Sequence, residues 1–205
     1  MIAIIDYGAG NIRSVYKALR FIGADCKITK DKTEMMNADG AILPGQGSFG
    51  DCMNSMTSRE IADTVKDFIN SGKPFLGICV GLQLLFDESE ESEGVKGLGV
   101  FEGKIRRIPN GEGLKIPHMG WNSLEIKDGD PLFKDVENGS YVYFVHSYYL
   151  DCPDKSLVSS QTEYGVRIDA SVSRGNVFAT QFHPEKSGDV GLKLLKNFTE
   201  ICGVK

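Results

Sequence analysis

Tryptophan occurs once in this chain and histidine three times, so any chemistry that needs an imidazole has very few residues to draw on. The five cysteines, Cys26, Cys52, Cys79, Cys152 and Cys202, are odd in number and scattered, with no Cys-x-x-Cys pair. That spacing indicates neither a zinc site nor a disulfide framework, and reduced thiols in a cytoplasmic compartment are expected. No apolar run approaches the roughly 20 residues that a membrane helix needs. The start, Met1-Ile2-Ala3-Ile4-Ile5-Asp6, lacks the charged n-region and small-residue cleavage site of a signal peptide. Basic residues are in deficit, 23 against 28 acidic, for a formal charge of −5. Surfaces built for a phosphate backbone carry the opposite balance, so nucleic acid is not an expected partner, and neither is a membrane.

What is present reads as an ordinary globular chain. Hydrophobic residues make up 41% of 205 positions, enough to bury one core, and a single domain over 1–205 is expected. Ile2-Ala3-Ile4-Ile5, Cys26 to Thr29, Ala41 to Leu43 and Phe75 to Ile78 read as short strands, the apolar ones buried on both faces. Helices are expected over about Ile12 to Phe21, with Asn11 as N-cap and Gly23 as terminator, over Glu60 to Ile69, and over about Leu82 to Phe86. After Gly94 strand-like segments follow one another: Val100 to Ile108, Ser123 to Ile126, Tyr141 to Tyr149, Gly165 to Ser173 and Asn176 to Phe182. A helix from Gly188 to Ile201 closes the chain. The expected fold is α/β: an open, doubly wound, mostly parallel sheet flanked by helices, with an additional antiparallel β layer continuous with it. The acidic run Asp87 to Glu93 reads as a solvated loop rather than an interaction tail.

The strongest chemical signal is Gly77-Ile78-Cys79-Val80-Gly81, a Gly-x-nucleophile-x-Gly pattern between an apolar strand and a helix. Such an elbow exposes the thiol at a helix N-terminus, where the macrodipole favours thiolate. The bland alternative is a small buried hydrophobe. A candidate base tips the balance: in Gln181-Phe182-His183-Pro184-Glu185-Lys186, residues two apart on an extended strand share a face, so His183 and Glu185 project together. A carboxylate beside the ring fixes its tautomer and supports the imidazolium. Pro44-Gly45-Gln46-Gly47, after the third strand, could lend backbone N–H groups of Gly45, Gln46 and Gly47 to an oxyanion hole, with the Val80 N–H as a further donor. Gly8-x-Gly10 is a weak dinucleotide signal, because position 13 is Arg. His118 and His146 read as structural, since no third ligand stands at metal spacing. No metal and no cofactor are expected.

Together these pieces resemble the triad-type glutamine amidotransferases: Gly77 to Leu85 matches their nucleophile motif, and Phe182-His183-Pro184-Glu185 their base motif. The narrower likeness is to the glutaminase subunits of imidazole glycerol phosphate synthases. It is carried by Asp6-Tyr7-Gly8-Ala9-Gly10-Asn11, Pro117-His118-Met119-Gly120-Trp121-Asn122, Tyr143-Phe144-Val145-His146-Ser147-Tyr148 and Glu185-Lys186-Ser187-Gly188. Gln46 departs from the small apolar residue usual in the oxyanion loop, and Val80 from the usual leucine. Both positions would act through backbone N–H.

The resemblance implies glutamine hydrolysis by a Cys79–His183–Glu185 triad. It places Gly47, Gln83, Ser147 and Tyr148 on the substrate and Trp121, Asn122 and Lys186 on a partner. That partner would be a cyclase subunit of (β/α)8-barrel fold forming a heterodimer, which uses the ammonia to make imidazole glycerol phosphate and AICAR in histidine biosynthesis. Two other readings stay open. Paralogues feed sugar-amidating synthases of surface polysaccharide biosynthesis, and a catalytically silent partner-binding subunit could keep the elbow without needing His-x-Glu.

Overall fold

A computed structural model describes residues 1–204. In chain order its elements are β1 Ile2–Ile5, α1 Ile12–Phe21, β2 Cys26–Thr29, α2 Lys32–Asn37, β3 Gly40–Gly45, α3 Phe49–Ser58, α4 Ile61–Asn70, β4 Phe75–Cys79 and α5 Val80–Gln83. There follow β5 Glu88–Ser89, β6 Lys104–Arg107, β7 His118–Ser123, β8 Glu125–Ile126, β9 Tyr141–His146 and β10 Tyr148–Asp151. β11 Val158–Glu163, β12 Arg167–Arg174, β13 Val177–Thr180 and α6 Gly188–Ile201 complete the set. No helix among the described residues is long and apolar enough to cross a membrane.

One large sheet runs β2-β1-β3-β4-β13-β12-β11-β8. Its first five strands are parallel, while β12, β11 and β8 add antiparallel. β1, β3, β4 and β13 are buried along their whole length, as unbroken apolar runs such as Ile2–Ile5 require when helices cover both faces. The expected α/β architecture is therefore present, but the strands after β4, apart from β13, divide three ways, and within them β5 pairs with β6 in parallel. β8, β11 and β12 do continue the main sheet. β10, β6 and β5 form a small sheet of their own, and β7 pairs with β9 as a separate ribbon. The single strand expected over Tyr141 to Tyr149 breaks at Ser147, so its first half pairs with β7 and its second with β6.

Local differences have physical causes. Two helices, α2 and α3, were not anticipated, although both carry a side-chain cap: Asp31 accepts from the Glu34 N–H and Ser48 from the Asp51 N–H. Asn11 occupies the N-cap position of α1, but its side chain makes no capping bond. The helix after Cys79 begins at Val80 rather than Leu82 and ends after Gln83. The acidic run is no free loop. Glu91 accepts from the Phe49 N–H at the start of α3, and Glu90 from the Arg107 N–H.

Register places the ends of three strands side by side. Gly45 of β3 pairs with Cys79 of β4, and Thr180 of β13 pairs with Ile78. The loop after β3, the nucleophile candidate and the segment carrying His183 therefore emerge at one sheet edge, where parallel sheets gather ligands. α5 lies almost on the backbone beneath it. A Cβ at Gly81 would stand 2.0 Å from the Leu43 carbonyl oxygen, and one at Gly77 would stand 2.7 Å from the Gly81 carbonyl oxygen. We expect Gly81→Ala to lower the urea midpoint by an amount equivalent to about 2 kcal/mol or more, since backbone cannot move aside. Gly175→Asn, at an open turn with φ +59°, should change it little. Equal effects from the two substitutions would contradict this packing.

Candidate active site

The nucleophile candidate sits on a strained turn. Cys79 has φ 57° and ψ −110°, a region that side-chain-bearing residues rarely occupy, at the junction of β4 and α5. The sequence assigned the sharp turn to the glycines of the elbow. In the structure neither Gly77 nor Gly81 has positive φ, and the turn is made by the cysteine itself. The two glycines instead permit backbone to touch backbone. Val80, first residue of the helix, belongs to the N-terminal turn whose N–H groups have no intrahelical acceptor.

His183 does not lie on a strand. β13 ends at Thr180, and Pro184 to Lys186 form a 3-10 turn with His183 at its N-cap position. Pro184 serves as the first residue of that turn, where a missing N–H costs nothing. His183 and Glu185 still project together, for a different geometric reason: the tight turn carries the carboxylate back under the ring. His183 Nδ1 lies 2.8 Å from Glu185 Oε1, with both side chains almost wholly buried. The other ring nitrogen, Nε2, has no hydrogen-bond partner among the described residues and faces the Cys79 thiol. Burial alone would drive the imidazole toward neutrality. The Cys79 and Glu185 negative charges outweigh it, so the ring is pushed up to about 10 from its ordinary 6.5. The arrangement favours an imidazolium braced by a carboxylate beside the Cys79 sulfur.

A cavity of about 200 Å³ opens over this pair, sized for one small molecule rather than for a peptide. Gly45, Gln46, Gly47 and Val80 line one side, and Gln83, Ser147, Tyr148 and Lys186 another. Gly45 must be glycine for the loop to approach so closely, because a Cβ there would stand 2.4 Å from the Gly81 nitrogen. Gly47, at φ +107°, meets nothing within 4 Å. The Gln46 carbonyl accepts from the Cys52 thiol at 3.5 Å. Gln83 is buried beneath the cavity and donates from Nε2 to the Tyr148 carbonyl at 3.1 Å and to Gln181 Oε1 at 3.0 Å.

Of the sequence candidates, Glu185 lies behind His183, and Trp121 and Asn122 lie outside the cavity. Trp121 is 54% exposed on β7, next to Met119, which is 61% exposed. It meets Tyr143 edge-on at 6.1 Å, and the Lys186 ammonium stands 5.9 Å over the same ring, so this apolar patch borders the cavity mouth. Asn122 is turned aside, donating to the Glu163 carbonyl.

Two residues escaped the sequence reading. Glu91 is the one carboxylate lining the cavity among the described residues, and Gln181 donates toward Cys79 Sγ at 3.7 Å. The acidic run concealed the first among four like neighbours. Gln181 stood two positions from His183, and nothing in its type marked it.

No group of three or more metal-ligating side chains occurs among the described residues. The remaining histidines are paired with each other, His118 Nδ1 to His146 Nε2 at 3.0 Å. Burial lowers both, His118 to about 4 and His146 to about 3, the latter helped by the neighbouring imidazoles and opposed by its bond to the Tyr148 carbonyl.

Comparisons with known proteins bear on this geometry. The family description "Glutamine amidotransferase class-I" matches residues 3–202. The chain is 52% identical over 201 residues to the imidazole glycerol phosphate synthase subunit HisH of Caldanaerobacter subterraneus subsp. tengcongensis, covering 98% of each. It is 51% identical over 203 residues to the subunit of the same name from Methanosarcina acetivorans, again covering 98% of each. A crystal structure of a glutamine amidotransferase superposes over 100% of both chains with a TM-score of 0.78 at 21% identity, a likeness of fold.

The paired neutral histidines yield a stability prediction. Their folded pKa values are depressed, so their contribution is complete above about pH 6.5 and is lost as pH falls from there toward 4, where only the unfolded chain binds the protons. The urea midpoint should drop between pH 7 and pH 4.5, and drop less in His118→Asn, which removes one titrating ring. An identical drop in the variant would contradict this.

Proposed function

The chain belongs to the class-I glutamine amidotransferase family, and from that premise we propose that it is the glutamine-hydrolysing subunit of an imidazole glycerol phosphate synthase in histidine biosynthesis. The observation that carries the reading is the convergence of Cys79 with the buried His183–Glu185 pair on one cavity of amino-acid size. The whole chain is assigned to a single glutaminase domain, working in the cytoplasm without metal or cofactor.

The chemistry follows from the residues. The Cys79 thiolate attacks the side-chain amide carbon of glutamine, and the carbonyl oxygen becomes an oxyanion. Val80 N–H and the Gly45-Gln46-Gly47 loop hold that charge. His183 gives its Nε2 proton to the departing nitrogen, so ammonia leaves and a γ-glutamyl thioester remains. The neutral imidazole then takes a proton from water. The resulting hydroxide attacks the thioester, and glutamate departs as Cys79 returns to thiolate. Glu185 keeps Nδ1 protonated throughout, which leaves Nε2 to shuttle. Ser147 and Tyr148, with Gln83 behind them and Gly47 opposite, grip the amino-acid end. Glu91 offers the negative charge that an α-ammonium requires.

A partner completes the account. Free ammonia is mostly protonated near neutral pH, and ammonium is no nucleophile, so the product must be released into a closed interface to stay useful. The exposed Met119–Trp121 patch beside the cavity mouth, with Lys186 at its edge, suits such a contact. We assign it to a cyclase subunit of (β/α)8-barrel fold in a heterodimer, with Asn122 at the rim. The naming of the relatives that are 52% and 51% identical favours this customer over a sugar-amidating synthase.

Glutamate release from glutamine should be slow with the purified chain and rise steeply when a histidine-pathway cyclase subunit and its substrate are added. Cys79→Ala should abolish release while leaving the heterodimer intact on gel filtration. Hydrolysis retained by the variant would sink the nucleophile assignment, and no rise with the cyclase would sink the choice of partner.

A further inference from the structure

The cavity wall is held by a chain of hydrogen bonds that the reaction steps above do not use. His146 Nδ1 lies 2.9 Å from the Tyr148 carbonyl oxygen. A carbonyl can only accept, so that nitrogen carries the proton and donates. In a neutral ring Nε2 is then an acceptor, and His118 must donate to it from its own Nδ1 at 3.0 Å. The carbonyl end thus dictates the tautomer of both rings. The same Tyr148 carbonyl accepts from Gln83, which continues through Gln181 to Cys79. His118 is seated between aromatic faces, with ring centroids 3.8 Å from Tyr164 and 4.8 Å from Phe144. Stacking alone would be met by a phenyl ring. The donor on Nδ1 is what a phenyl ring lacks.

Resting on the glutaminase reading, we propose that His118 is a positioning residue that, through His146, fixes the Tyr148 carbonyl and with it the Ser147–Tyr148 segment that grips glutamine. Ser147 separates β9 from β10: its carbonyl accepts from the Ile108 N–H at 2.9 Å and Tyr148 pairs with Arg107 of β6, so the backbone ladder holds this segment on the β6 side, while the Tyr148 carbonyl is held by side chains. The His146 ring and Gln83 both donate to that carbonyl. Removing the His118 donor leaves His146 Nε2 as a buried acceptor without a partner. The ring relieves that cost by turning, and its turning frees the Tyr148 carbonyl.

The test compares His118→Phe, which keeps the stacking and loses the donor, with His118→Asn, whose side-chain amide can donate from the position of Nδ1. Iodoacetamide alkylation of Cys79 in the full chain, read by peptide mass, reports the thiol directly, and glutamine added in competition reports binding without any need for turnover. The glutamine concentration that half protects Cys79 should rise about tenfold in His118→Phe, the worth of one hydrogen bond. It should return close to the wild-type value in His118→Asn, while unprotected alkylation stays unchanged in both and circular dichroism shows both folded. Wild-type protection in His118→Phe would overturn the proposal. So would a His118→Asn variant as weak as the phenylalanine one, because the role would then be packing. A wild-type chain that glutamine never protects would overturn the glutaminase reading itself, an outcome separate from either of these.

Discussion

Everything at the site hangs on how near a four-residue helix lies to the two strands beneath it. Gly45, Gly77 and Gly81 let the backbones of β3, β4 and α5 touch, at separations where any Cβ would collide with a carbonyl or an amide. Because the helix starts so close to the strand that feeds it, Cys79 has no room for a relaxed turn and takes positive φ instead. The strain is stored at the one residue whose side chain must be aimed outward. The same approach brings the β3 loop within reach of the thiol, so nucleophile and candidate oxyanion donors are fixed by a single packing event.

The three histidines show how environment, rather than residue type, sets charge. All are almost fully buried, and burial alone favours the neutral ring in each. His118 and His146 have only each other and a carbonyl as partners, so they stay neutral and serve as a fixed hydrogen-bond relay. His183 stands between a carboxylate and a thiol, and the two negative charges reverse the outcome. One imidazole is thereby kept charged in a cavity whose wall is held by two that are not.

Much of this was legible in the sequence because it is local. The apolar strands Ile2–Ile5 and Phe75–Ile78, the helix Ile12–Phe21 and the closing helix Gly188–Ile201 follow from hydrophobic spacing and from glycine stops. The elbow and the His-x-Glu pair were found by residue type and spacing, although the pair turned out to sit on a 3-10 turn and not on a strand. What stayed hidden depends on pairing between distant segments. Nothing local tells that Tyr141 to Tyr149 divides between two sheets, because the break at Ser147 is set by its separate partners, β7 and β6. Glu91 was invisible for the same reason: its place in the cavity is decided by the start of α3, forty residues earlier in the chain. The caps of α2 and α3, Asp31 before Glu34 and Ser48 before Asp51, are local signals of the kind a sequence carries.

The central claim is that the charged His183 ring makes Cys79 the reactive thiol of the chain. The most direct measurement is the rate at which iodoacetamide alkylates Cys79 at pH 7 in the wild type and in His183→Gln, followed by peptide mass so that the four other cysteines serve as internal references. The account predicts that Cys79 reacts far faster than the other cysteines, and that the variant loses at least about tenfold of that rate, since the positive charge beside the sulfur is gone. An unchanged rate in His183→Gln would contradict it.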